Sequence, residues 1–152
     1  MELKSSAFAA GEVLPARYSC DGEGVNPPLQ ICNVPAQTRS LALIVDDPDA
    51  PMMIPRKLAW VHWVLYDMPP TLEEIAENSS PPGIVGNNQL GKPGWTPPCP
   101  PDKEHRYFFK LYALDCQLQL PPGASKDQVE KAMEGHVLAK AELIGRYDRK
   151  RH

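Results

Sequence analysis

No apolar run in this 152-residue chain approaches the ~18 residues that a membrane-spanning helix needs. The longest, such as Leu41, Ala42, Leu43, Ile44 and Val45, have the length of a strand. The first residues show no basic stretch followed by a long apolar one, so a standard secretion signal is not expected and a cytoplasmic location is. Positive charge is not in excess either: 16 Lys and Arg stand against 19 Asp and Glu, a net charge of −3. Binding to a nucleic-acid backbone needs a basic footprint, so nucleic acid is not expected as a partner. The one basic run (Arg149, Lys150, Arg151, His152) is short and terminal and reads as solvated. Cysteine is present only as Cys20, Cys32, Cys99 and Cys116, none at C-x-x-C spacing, so neither a zinc ribbon nor a redox motif is signalled. Without a secretory signal, free thiols are expected. There is no G-x-S-x-G nucleophile elbow and no H-E-x-x-H zinc helix, so enzymatic turnover is not expected, and no metal or cofactor is implied.

What the chain has in abundance is proline, 18 residues, more than twice the average usage of roughly 5%. Proline lacks a backbone donor and is confined to turns, edges and strand starts, which disfavours a helical bundle. Residues 41–45 form an apolar run bounded by charge, as in a buried central strand. Val61, His62, Trp63, Val64, Leu65 and Tyr66 are mostly β-branched or aromatic. In residues 107–114, a two-residue period sends Tyr107, Phe109 and Leu111 one way and Phe108, Lys110 and Tyr112 the other. Residues 143–147 suit a closing strand.

Helix signals are few. Ser125 and Gln128 match a capping box, and Val129, Ala132, Met133, His136, Val137 and Lys140 then fall on one helical face. Thr71 and Glu74 match a second capping box, which predicts a short helix there. Strands first and a helix late predict a mainly β protein, an antiparallel sandwich with peripheral helices, as one domain over residues 1–152.

Two long proline-rich stretches, 48–59 and 87–104, each deliver the chain into a strand with a histidine near its start, His62 and His105. Long irregular segments in compact domains are usually functional, and binding residues are often held where loops meet strands. Asp47, Asp49, His62 and His105 are therefore the candidate site. Imidazoles donate to anions, and a neighbouring carboxylate favours the charged ring. Phosphate or carboxylate groups are the matching ligands, and a zwitterion such as phosphoethanolamine would satisfy both signs. The plainer readings stand beside this one. A strand histidine is often a satisfied core residue, and Asp47-Pro48-Asp49 is a natural turn. Arg106 suits an internal ion pair, Trp60 and Trp63 a core or pocket wall, and His136 a structural place.

Three blocks carry a resemblance: Asp47-Pro48-Asp49-Ala50-Pro51, Trp60-Val61-His62-Trp63, and Cys99-Pro100-Pro101 followed by His105-Arg106-Tyr107. Weaker blocks, including Ser19-Cys20-Asp21-Gly22 and Tyr112-Ala113-Leu114-Asp115, occur in the same order. Together they resemble the phosphatidylethanolamine-binding (Raf kinase inhibitor protein-like) family, in its bacterial and archaeal branch. The resemblance implies a β-sandwich with a large central sheet, a smaller sheet and peripheral helices. It also implies an anion pocket at one end of the central sheet, with ligand-binding roles for Asp47, Asp49, Trp60, His62, His105 and Tyr107. Thr96-Pro97-Pro98 stands where the family usually has glycines.

The function expected is a binding protein for phosphate-containing small molecules or phospholipid headgroups, in a regulatory role. The alternatives are an interaction module that inhibits a kinase or serine protease, and a metal-assisted hydrolase. A homodimer is compatible with any of these.

Overall fold

The computed structural model describes residues 1–51 and 59–149. Part of the first proline-rich stretch (52–58) and the last three residues of the basic tail (150–152) lie outside them. The chain folds into β1 (Glu2–Lys4), β2 (Leu29–Cys32), β3 (Ser40–Asp47), β4 (Trp60–Met68), β5 (Glu74–Ile75), β6 (Ile84–Val85), β7 (His105–Leu114), α1 (Lys126–Met133) and β8 (Val137–Tyr147). A five-stranded antiparallel sheet in the order β6-β4-β3-β7-β8 faces a three-stranded sheet in the order β1-β2-β5. The sandwich expected from the sequence is what forms, with α1 and a 3₁₀ turn at Ala16–Tyr18 as helical parts among the described residues.

β3 is central, and every one of its residues is buried. Leu41, Leu43 and Val45 pack into the core between the sheets, with Leu3, Leu29, Ile31 and Ile75 of the small sheet. Ala42 and Ile44 pack on the other face with Val129 and Met133 of α1. A strand covered on both faces needs no polar alternation, which explains the continuous apolar run. β7 keeps the alternation its sequence shows. Tyr107, Phe109 and Leu111 enter the inter-sheet core, and Tyr112 joins the α1 face.

Three expectations are corrected. The capping box at Thr71 opens no helix: Leu72 N–H closes a turn onto Pro69, and Glu74–Ile75 pair with β2, burying Ile75 in the core. Sheet pairing and burial outweigh a short local signal. The late helix does begin at Ser125, whose hydroxyl accepts from Gln128 N–H in a reciprocal capping box. It stops at Met133, because Gly135 (φ +79°) turns the chain and residues 137–140 pair with β7. Helical periodicity across His136, Val137 and Lys140 is therefore coincidental. Finally, the thiols are not all free. Cys20 and Cys99, 79 positions apart, form a disulfide, while Cys32 and Cys116 remain free. The fold brings the 19–24 loop against the 96–101 loop, where Cys20 N–H also donates to the Pro98 carbonyl.

Candidate functional site

Antiparallel pairing puts the end of β3 beside the starts of β4 and β7. Asp47 lies opposite Trp60, and Asp46 opposite Phe108. At this end of the large sheet, a cavity of about 290 Å³ is lined by Asp47, Ala50, Pro51, Trp60, His62, Thr96, Pro97, Cys99, Pro100, Pro101, His105 and Tyr107. The two strands with histidines thus meet at one cavity, walled by the prolines of the second long loop. A larger open groove of about 460 Å³ runs past Asn26, Ser79 and Trp95 and holds no titratable side chain.

A β-bulge aims His62. Val45 pairs with Trp63 and Asp46 with Val61, so His62 is the extra residue. The bulge resets the alternation, so that Val61 and Val64 face α1 while His62 and Trp63 both face the aromatic side. There the imidazole sits 4.8 Å from the Trp60 ring, 5.2 Å from Tyr107 and 6.3 Å from Trp95, between centroids. Its Nδ1–H donates to the Thr96 carbonyl at 2.7 Å, and Thr96 N–H donates back to the His62 carbonyl at 3.0 Å. His62 is 4% exposed, and burial pushes its pKa down to about 4, against the pull of the Thr96 carbonyl. The ring is therefore neutral near pH 7. With Nδ1 holding the proton, Nε2 is an acceptor. This corrects the expectation that both rings are charged donors raised by nearby carboxylates.

His105 has the opposite surroundings. Its Nδ1 lies 2.6 Å from Asp47 Oδ2, and its Nε2 lies 2.7 Å from Asp102 Oδ1. The ring is 1% exposed. Two carboxylates on opposite nitrogens are satisfied together only with one proton more than a neutral imidazole carries. Asp47 Oδ1 also accepts from Asp49 N–H at 2.7 Å, closing the turn. Burial raises the Asp47 carboxyl above its ordinary value, against the lowering effect of His105. The hydrogen bond from His105 holds Asp102 below the usual range. Burial and the Asp47 charge push the Tyr107 phenol far up, so its hydroxyl stays protonated.

Asp47, Trp60, His62, His105 and Tyr107 therefore share the cavity, and Asp49 does not line it. The Asp49 carboxylate turns to Arg106, accepting from Nε and Nη2 at 2.9 Å each and from the backbone N–H at 2.9 Å. That pairing lowers its pKa and gives Arg106 the internal ion pair its sequence suggested. The preceding aspartate, Asp46, faces the α1 side, held by Lys110 at 3.0 Å and Lys126 at 2.7 Å.

Two partners escaped the sequence reading. Asp102 carried a signal, because it stands three residues before His105 in a turn. Thr96 acts through its backbone carbonyl, which no side-chain pattern reveals. As for metals, the one group of three ligand residues found among the described residues is Asp115, Cys116 and His136. Their ligand atoms lie within 4.8 Å of one another, past the far end of β7 from the cavity.

Comparisons with known proteins agree with this architecture. The family model described as phosphatidylethanolamine-binding protein matches residues 4–148. A UPF0098 protein of Chlamydia muridarum is 45% identical over 148 residues, 97% of this chain and 99% of the relative. One from Methanothermobacter thermautotrophicus is 49% identical, covering 98% and 99%. The crystal structure of the PEBP homolog CT736 from Chlamydia trachomatis superposes with a TM-score of 0.94 at 43% identity, over 98% and 97% of the two chains. That of E. coli YbcL, described as a new member of the mammalian PEBP family, gives 0.87 at 29% identity over 98% of each.

Proposed function

This chain belongs to the phosphatidylethanolamine-binding protein family, and we propose that it is a binding protein whose cavity holds the phosphate group of a small molecule or lipid headgroup. The observation that carries the reading is the carboxylate of Asp102 on His105 Nε2 at 2.7 Å. An anionic group already sits on a ring whose other nitrogen is anchored by the buried Asp47. Asp102 belongs to a loop and is 41% exposed at its side chain, so an external anion can reach the same His105 nitrogen and compete with it. Once it moves aside, His105 Nε2–H and the Tyr107 hydroxyl are donors for the ligand. The mostly apolar walls, Trp60 and the four prolines at 97, 51, 100 and 101, strengthen those bonds by excluding water.

The role is binding without turnover. The Tyr107 hydroxyl in the cavity is held protonated, and the sequence has no nucleophile motif. A regulatory function through a protein partner would use the same site as its ligand sensor.

Isothermal titration calorimetry of phosphoethanolamine tests the proposal. Wild type should bind, His105→Ala should lose at least tenfold in affinity for want of a charged hydrogen bond worth about 1.5–3 kcal/mol, and Asp102→Asn should bind more tightly. Binding unchanged in both variants would place the ligand elsewhere.

A further inference from the structure

We infer that the cavity selects an oxyacid that brings its own acid proton, a monoprotonated phosphate monoester, over a phosphodiester or sulfate. The inference rests on the proposal that this cavity binds phosphate, and it adds which form of phosphate.

The two histidines offer a ligand opposite hydrogen-bonding roles. His105, with Asp102 displaced, offers an N–H from Nε2, because Asp47 fixes its Nδ1. His62 offers a lone pair, because the Thr96 carbonyl fixes its Nδ1–H and burial among Trp60, Trp95 and Tyr107 keeps the ring neutral. Its Nε2 has no hydrogen-bond partner among the described residues. A ligand that fills the cavity must therefore accept at one side and donate at the other. A monoester in its singly ionised form does both: its P–O⁻ oxygens accept from His105 Nε2–H and the Tyr107 hydroxyl, and its P–OH donates to His62 Nε2. A phosphodiester and sulfate carry charge but no acid proton. Either would set an anionic oxygen against the His62 lone pair in a largely apolar cavity, where an unmet acceptor is costly.

The titratable groups facing this arrangement among the described residues are Asp47 from β3, His105 and Tyr107 from β7, and Asp102 from the loop before it, while Asp46, on the α1 side of β3, acts on His62 only through its charge. The His105–Asp102 contact also needs a proton, so the pH dependence of the ligand must be separated from that of the protein. Probes that do not titrate in this range provide the separation.

The experiment is calorimetry of the intact chain with four probes: phosphoethanolamine, glycerol 3-phosphate, glycerophosphoethanolamine and sulfate. The two monoesters should bind at least roughly tenfold more tightly than the diester and sulfate at pH 5.5, the cost of one unmade hydrogen bond to a buried acceptor. The monoesters should weaken by roughly tenfold by pH 7.5, as their second ionisation near pH 6 removes the donated proton. His62→Phe, which keeps a ring and removes the acceptor, should bring monoester and diester to similar affinity. Equal binding of diester and monoester by wild type would overturn the inference while leaving the phosphate-binding proposal standing. Tight binding of both amine-bearing probes and neither of the others would overturn it in favour of amine recognition. No binding of any probe would overturn the phosphate proposal, and the inference with it.

Discussion

His62 and His105 face one cavity and are both almost fully buried, yet their surroundings give them opposite chemistry. His105 lies between two carboxylates, so that holding a proton is what satisfies its neighbours. His62 lies among aromatic rings with one backbone carbonyl for a partner, so that burial dominates and the ring stays neutral. Neither difference resides in the histidine. It comes from what the end of β3 and the 96–102 loop bring within 3 Å of each ring.

The comparison can be broken at its charged half first. His105→Ala leaves Asp47 buried without its partner, and removing one member of a buried pair costs about 3–5 kcal/mol. Urea unfolding at pH 7 should show this as the largest loss among the site variants. Asp47→Asn in the same background should recover part of it, because no buried charge then remains; no recovery would mean that the loss is a packing effect.

The wall holding Thr96, and with it His62, is tied down by the Cys20–Cys99 disulfide. Reduction, or Cys20→Ser with Cys99→Ser, should cost roughly 2–4 kcal/mol by releasing a long closed loop in the unfolded chain. Thiol counting under denaturing conditions, with and without reductant, should give two thiols and then four. Four in both would remove the disulfide.

The neutral half is tested by acid. The folded pKa of His62, about 4, lies below the ordinary histidine value of 6.5, so the unfolded chain binds more protons between those values. Stability should therefore fall as pH drops from 6.5 toward 4, by on the order of 2–3 kcal/mol from this residue. His62→Phe should flatten that part of the urea-midpoint profile. Asp47 works in the other direction in part of this range: its raised pKa means that stability is lost as pH rises through its folded value. An unaltered slope in His62→Phe would show that His62 titrates as an exposed ring.

The smallest effect is expected at Asp49, whose exposed pair with Arg106 is worth about 1 kcal/mol or less. Asp49→Ala should lower stability by that amount and leave phosphoethanolamine affinity within about twofold, since the carboxylate does not line the cavity. A larger loss of binding would mean that the turn at Asp47 depends on its neighbour.

Most of the scaffold was legible because the strands advertise themselves. The apolar run of β3, the β-branched and aromatic stretch of β4 and the two-residue period of β7 each map onto an observed element. The Ser125 capping box succeeded and the Thr71 one failed for one reason. The first is followed by an apolar face that α1 buries, while Glu74 and Ile75 find a sheet edge that pairs their backbone. The site residues were legible wherever a loop meets a strand. Asp49 read like Asp47 because two aspartates flanking a proline look alike until one of them finds Arg106.

The sequence by itself determined that this is a mainly β chain with two proline-rich loops feeding two histidine-bearing strands. These are local properties, set by side-chain shape, periodicity and the missing proline donor. Only the tertiary structure decided which aspartate meets which histidine, that Cys20 meets Cys99, and that a bulge turns His62 into the cavity. It also decided the protonation of His62 and the partners of His105. Burial and a partner at hydrogen-bond distance set the His62 pKa, and both are made by segments far apart in the chain, as Thr96 is for His62; Asp47 likewise comes to His105 from a distant part of the sequence.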